Sequence, residues 1–245
     1  NMNRRGYALA TRNPDIAPLI AQLHDGLQGN ADRLIRYHDA ATSASYQGFE
    51  KPDWEGINDG VDILQNQALI QQYFPSYDPS IAAIVHIRRG GDISGQQLGM
   101  HMLEYLKTVG AKRVVGTVKD IRSGDGFDIE LETTGGIEQI KADQLVNAAG
   151  PFADRIADML GTPLPVHHTF QQKIAFEDKL GAVPRAVPFS IDLDAQDIDW
   201  DADEKEMLLA DPEFAWLAKE MPGAIHCRPD GGDGGKWIKL GWAYN

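Results

Sequence analysis

The stretch Asp143-Gln-Leu-Val-Asn-Ala-Ala-Gly-Pro-Phe152 decides how this chain is read. The run Leu145-Val146-Asn147 predicts a strand, and Pro151 is placed to open a helix that runs to Leu160 and is closed by Gly161. Between them, Ala148, Ala149 and Gly150 strip side chains from the strand's carboxyl end. The helix that follows offers free N–H groups to an anionic or polar ligand. Something flat or phosphorylated could pass close to this backbone, as a nucleotide cofactor does. The same small residues also serve plain helix-on-strand packing, and taken alone the motif leaves both uses open.

Working outward, Gly110 to Val118 lies upstream, and a Gly-x-Gly-x-x-Gly turn is absent from all 245 residues. Ser94 and Gln97 form a capping-box pattern for a helix to Val109, with Leu98, Met102, Tyr105, Leu106 and Val109 on one stripe. Arg113–Ile121, Phe127–Thr133 and Ile137–Ala142 predict an antiparallel meander, separated by Gly-containing turns. Residues 92–164 are thus expected to form an α/β core. The flanks, 1–91 and 165–245, are expected to build a second domain.

In the first flank, Gly6–Thr11 predicts a strand and Asn13-Pro14 a helix start running to Leu27. Residues 40–60 read as loop, Gln67–Tyr73 as a short helix and Ile81–Ile87 as a strand. In the second flank, Val166 to Phe176 and Pro184 to Ile191 read as strands, Asp192 to Glu206 as an acidic loop and Pro212–Lys219 as helical. Two late strands, Ala224–Arg228 and Trp237–Trp242, flank a Gly-rich turn.

Composition removes several function classes. A net charge of −13, with Arg4-Arg5, Arg88-Arg89 and Lys112-Arg113 as scattered adjacent cationic pairs, argues against nucleic acid as a partner. The single cysteine, Cys227, excludes an internal disulfide framework and a multi-cysteine metal site, and suits a cytoplasmic protein. No stretch approaches the ~20 consecutive apolar residues of a transmembrane segment. The first seven residues have no apolar core of signal-peptide length, and a first residue other than Met is expected of a chain with further sequence upstream.

The segments Ile93–Gly99, Gly110-Ala111, Val114–Val118, Ile140–Asp143 and Leu145–Phe152, in this order, resemble the middle of the FAD-dependent oxidoreductases of the D-amino-acid oxidase and sarcosine (glycine) oxidase type. Met2–Tyr7, Ile84–Gly91, Gly181–Arg185 and Arg228-Pro229 are similar to that family's substrate-domain segments. The resemblance implies a mixed α/β fold: part of a Rossmann-like FAD-binding domain with a small meander, plus an antiparallel-sheet substrate domain. It implies FAD as cofactor, with Val118 presenting its backbone to the adenine and Ala148, Ala149 and Gly150 lying beside the dinucleotide. It further implies a fragment, because the family's Gly-rich phosphate turn and its late flavin-reaching segment have no counterpart here. The implied activity is oxidation of a small-molecule amine or amino acid by hydride transfer to flavin. A non-catalytic remnant or binding subunit of the same fold, and a flavoenzyme for hydroxy acids, stay open beside it.

Further side chains are candidates for substrate contact. Arg88 and Arg89 could grip a carboxylate through a bidentate fork, and the same pair could serve surface ion pairing. His167 and His168 are expected on opposite faces of a strand, so at most one, His168, would line a cavity. No metal is expected. The acidic run Asp192–Asp203 lacks the spacing of a calcium loop, and Gly231–Lys236 reads as a hairpin turn because Trp237 stands where a phosphate loop needs Ser or Thr.

Overall fold

The computed structural model describes all residues except 1, 52, 170, 233 and 243–245. Phe170, expected in a strand, and Asp233, in the Gly-rich turn, lie outside the described residues. The chain divides into two compact units, one formed by residues 1–95 and 170–245, the other by residues 96–169.

The first flank contributes β1 (Met2–Asn3), β2 (Tyr7–Thr11), α1 (Ala17–Leu27), α2 (Ala31–Leu34), β3 (Ile35–His38), β4 (Val61–Leu64), α3 (Gln67–Tyr73), β5 (Ala83–Ile87) and β6 (Asp92–Ile93). Next come α4 (Gly95–Thr108), β7 (Thr117–Ser123), β8 (Phe127–Thr133), β9 (Gly136–Ala142), a 3-10 turn (Gly150–Phe152) and α5 (Ala153–Met159). The second flank supplies β10 (Gln172–Glu177), β11 (Phe189–Asp192), α6 (Ala202–Ala210), a 3-10 turn (Ala215–Ala218), β12 (Ile225–Asp230) and β13 (Trp237–Trp242).

Both flanks meet in one eight-stranded sheet, ordered β10-β13-β12-β11-β2-β5-β4-β3. Its pairs are antiparallel except β2 with β11 and β3 with β4. Period-two alternation sorts the strands' side chains into two layers. On one face Ile35, Val61, Ile63, Ala83 and Val85 pack with Ile16 and α1. On the other, Ala8, Ala10, Leu64 and Ile84 pack against Tyr46, Leu69, Ile70 and Phe74. Ile63, Leu64, Ile70 and Ile84 are each 0% exposed, and burial of such a side chain contributes roughly 1.5–3 kcal/mol. Because both faces are covered here, β4 is buried at all four positions.

Several expected boundaries shift for local reasons. Helix α1 begins at Ala17, because the Asn13 carboxamide accepts from the Asp15 N–H and the Asp15 carboxylate from the Ala17 N–H, which turns the chain before it can wind. Helix α3 starts where Asn66 accepts from the Ala68 and Leu69 N–H groups at 3.0 and 3.3 Å. Residues 162–169 lie in no regular element, so the strand expected from Val166 begins instead at Gln172. Pro184 and Pro188 cannot donate to a ladder, which delays β11 to Phe189. Within the acidic run, α6 appears where Asp201 and Glu204 close a reciprocal capping box, correcting the loop expectation.

The other unit holds the meander β7-β8-β9, with a bulge between Val118 and Asp120. Arg113–Gly116 and Leu145–Asn147 are in no strand, contrary to expectation, because no described strand pairs with them. Their Val114, Val115 and Val146 stand 47%, 71% and 85% exposed. The helix expected from Pro151 opens as a 3-10 turn before α5 begins at Ala153.

Candidate functional site

Three places in the molecule concentrate chemistry, each within a single unit. The first is the turn at Ala148-Ala149-Gly150. Gly150 sits at φ 56°, the left-handed region that glycine enters without a Cβ penalty, and a Cβ built there would meet nothing within 4 Å. Ala148 and Gly150 are exposed and Ala149 is half-buried, so the turn forms a ledge of backbone and methyl groups. Asn147 fixes it from beneath: its amide donates to the Ala153 carbonyl at 2.8 Å and its carbonyl accepts from the Ala149 N–H at 3.4 Å. Val118, half-buried, lies at the bulge of β7, opposite Leu131. Gly116 just before it cannot carry a side chain freely, since a Cβ would stand 2.8 Å from the Glu132 carbonyl oxygen.

The second place is a buried polar hub on the α3 side of the large sheet. Asp62, 1% exposed, accepts from Arg36 Nε at 2.7 Å and His38 Nε2 at 2.9 Å, and Arg88 Nε stands 3.4 Å from its other oxygen. His86, fully buried on the adjacent strand, donates from Nε2 to the Arg5 carbonyl at 2.8 Å. A carbonyl only accepts and a guanidinium only donates. The contact of Arg88 Nη1 with His86 Nδ1 at 2.6 Å therefore makes Nδ1 the acceptor and fixes the neutral tautomer. Burial, reinforced by the Arg88 charge, pushes the imidazole pKa down to about 3. Burial also raises the Tyr46 phenol, whose hydroxyl lies 3.0 Å from the same Nδ1.

This hub redefines Arg88. Its fork is engaged by Asp62, His86 and the Gly48 carbonyl, and it is 3% exposed rather than displayed on a surface turn. Arg89 is the exposed partner of the pair, over the Trp54 ring and 3.8 Å from Asp59. Ser43 Oγ lies 2.6 Å from His38 Nδ1, so Ser43, His38 and Asp62 form a hydrogen-bonded line. With the His38 ring sealed from solvent and Asp62 shared between two guanidinium groups, that line braces the 40–60 loop.

The third place is a cavity of about 220 Å³ on the same sheet face, where β2, β11, β12 and β13 meet. Ile81, Ile225 and Leu240 make its walls apolar, and Tyr77, Ser190 and Cys227 add polar atoms. Tyr77 Oη and Ser190 Oγ lie 2.5 Å apart. At the rim Arg12 reaches Asp192 at 3.0 Å and Asp194 at 3.1 Å, and bonding to Asp192 raises the guanidinium further. Burial opposes ionisation of Asp194, but bonds from the Thr11 hydroxyl and the Arg12 backbone and side chain outweigh it and hold the carboxyl below its usual range. Burial, with Asp178 nearby, pushes the Cys227 thiol up. The sequence offers no rim or floor residue as a substrate-site candidate: Cys227 enters only as a lone thiol and Asp192 and Asp194 only as part of an acidic run, because the pairing of Arg12 with Asp192 joins residues 180 positions apart. His168 belongs to neither ledge nor cavity lining. It follows no strand alternation and stands 3.9 Å from Asp154.

The sequence model of the DAO family, described as FAD dependent oxidoreductase, matches residues 4–199. Sequence comparison with curated proteins gives no match. Among solved structures, glycine oxidase from Geobacillus kaustophilus is similar with a TM-score of 0.60 at 15% identity, over 100% of this chain and 49% of that one. The chain thus spans about half the length of the structure it matches. The fold is the mixed α/β architecture of the glycine oxidase type. With most of its length matched, the chain belongs to the family of FAD dependent oxidoreductases.

Proposed function

We propose that this chain carries the substrate domain, residues 1–91 and 165–245, and the middle of the FAD-binding domain, residues 92–164, of a flavoenzyme that oxidises an amine or amino acid. The observation that carries this reading is the family match over residues 4–199, which takes in parts of both units. The bare Ala148–Gly150 ledge supports it, because a dinucleotide needs close backbone approach and the open space at the Gly150 Cβ position admits one. Val118 and the ledge would hold the cofactor. FAD, when bound, supplies a two-electron acceptor for a hydride.

The chain's own residues would bind and orient the substrate. The cavity by Arg12 offers apolar walls for a side chain, and the Tyr77–Ser190 pair offers hydrogen-bonding oxygens within them. A charged rim with one guanidinium and the carboxylates Asp78 and Asp192 suits a small molecule bearing an amine, alone or with a carboxylate. Arg89 remains a second candidate for carboxylate contact.

The test is the protein purified from its intact gene. Yellow protein whose flavin absorbance bleaches without oxygen on addition of an amine or amino acid supports the reading. Bleaching by hydroxy acids alone would move the substrate class, and colourless protein would overturn the flavoenzyme assignment.

A further inference from the structure

We propose that β10 pairs with the β10 of a second copy of this chain, joining two eight-stranded sheets edge to edge. The strand ends the sheet order and, among the described residues, is paired with β13 alone. All six of its residues are exposed, and on one face Ile174 and Phe176 stand 56% and 42% open to solvent. That face is apolar beyond the edge as well, since Ile174 lies opposite Leu240 and Phe176 opposite the buried Ile238. An open edge of this kind presents a row of backbone donors and acceptors that another strand can take up.

What singles out a second copy is the sequence of the edge itself. Residues Lys173-Ile-Ala-Phe-Glu177 read the same by chemistry in both directions: one charge, three apolar residues, the opposite charge. Paired antiparallel about Ala175, Lys173 of each copy faces Glu177 of the other and Ile174 faces Phe176. Opposed residues in an antiparallel pair share a face, so this register continues the apolar surface on one side and places both ion pairs on the other. A one-residue slip would set Lys173 against Phe176 and lose both matches. Neither Lys173 nor Glu177 is engaged in an ion pair among the described residues. A lone lysine on an edge strand commonly guards against self-pairing; here Glu177, at the symmetric position, converts the guard into a partner.

The experiment is a charge swap read by sedimentation of the 245-residue chain. The unaltered chain is expected to dimerise. Lys173→Glu and Glu177→Lys each replace two opposite-charge pairs with two like-charge pairs, and each is expected to weaken the dimer by roughly tenfold or more. The double variant K173E/E177K restores the pairs in reversed sense and is expected to recover the dimer. All three changes lie on an exposed edge, and circular dichroism checks that each variant retains its sheet. A monomeric unaltered chain, a dimer indifferent to the single swaps, or a double variant that stays as weak as the singles would each overturn the proposal.

Discussion

His86 makes the stability of the large sheet sensitive to pH in a window where carboxylates do not titrate. In the folded chain its Nδ1 accepts from Arg88 and its Nε2 donates to the Arg5 carbonyl, so a second proton would have to enter between the ring and a guanidinium 2.6 Å away. The folded pKa is about 3, against 6.5 for a free imidazole. The folded-state value is depressed, so the stabilising contribution is complete above 6.5. It is lost as pH falls, because the unfolded chain takes up a proton that the folded chain refuses. At 1.36 kcal/mol per unit, the loss between pH 7 and pH 5 is about 2 kcal/mol from this one group. His86→Gln provides the control. A carboxamide can donate to the Arg5 carbonyl and accept from Arg88, yet it does not titrate. Urea unfolding of both proteins at pH 7 and pH 5 should show the unaltered chain losing about 2 kcal/mol more than the variant. The other histidines and the carboxylates are common to both proteins and cancel in the difference. Equal losses would refute the reasoning, for they would mean that His86 takes its proton in the fold as readily as out of it.

Asp62→Asn should cost about 3–5 kcal/mol, measured by thermal unfolding, since it leaves the buried Arg88 guanidinium without its carboxylate. Gly150→Val should lower stability by about 1–2 kcal/mol through left-handed backbone strain alone, since no atom lies near the new Cβ; on the proposed function it should also reduce flavin content in protein from the intact gene. Tyr77→Phe removes one hydrogen bond to Ser190 and should cost about 1 kcal/mol in denaturant titration. Asp201→Ala breaks the capping box of α6 and should cost about 1 kcal/mol, seen as faster amide exchange at Glu204.

Elements with local signals are legible in the sequence. Helix α3 carries its own cap in Asn66, and β8, β9 and the β12–β13 hairpin are bounded by glycine turns and show alternation. Strands β3 and β4 were not legible. Each is four residues long, and Arg36, His38 and Asp62 break their apolar runs with groups whose partners lie 24 and 26 positions away. The ledge was readable because it is a contiguous motif. The rim of the cavity was not, because Arg12 meets Asp192 only once β2 lies beside β11. Arg113–Gly116 and Leu145–Asn147 show the opposite failure: their composition asks for strands, but a strand exists only where a neighbour completes its ladder.

The parallel pairing of β2 with β11 also sets an order of events during synthesis. The half-sheet β2-β5-β4-β3 is complete once Ile87 has left the ribosome, with α1 and α3 available to cover its two faces. Its β2 edge must then wait, unpaired, while residues 96–169 are made and until Asp192 emerges to seat beside Ala10. At roughly 5–20 residues per second that is an interval of roughly 5–20 seconds. During it the nascent chain carries an open strand that any other extended segment could occupy, so slowed translation through the second unit should appear as misfolded product, not as lower yield of a correctly folded one.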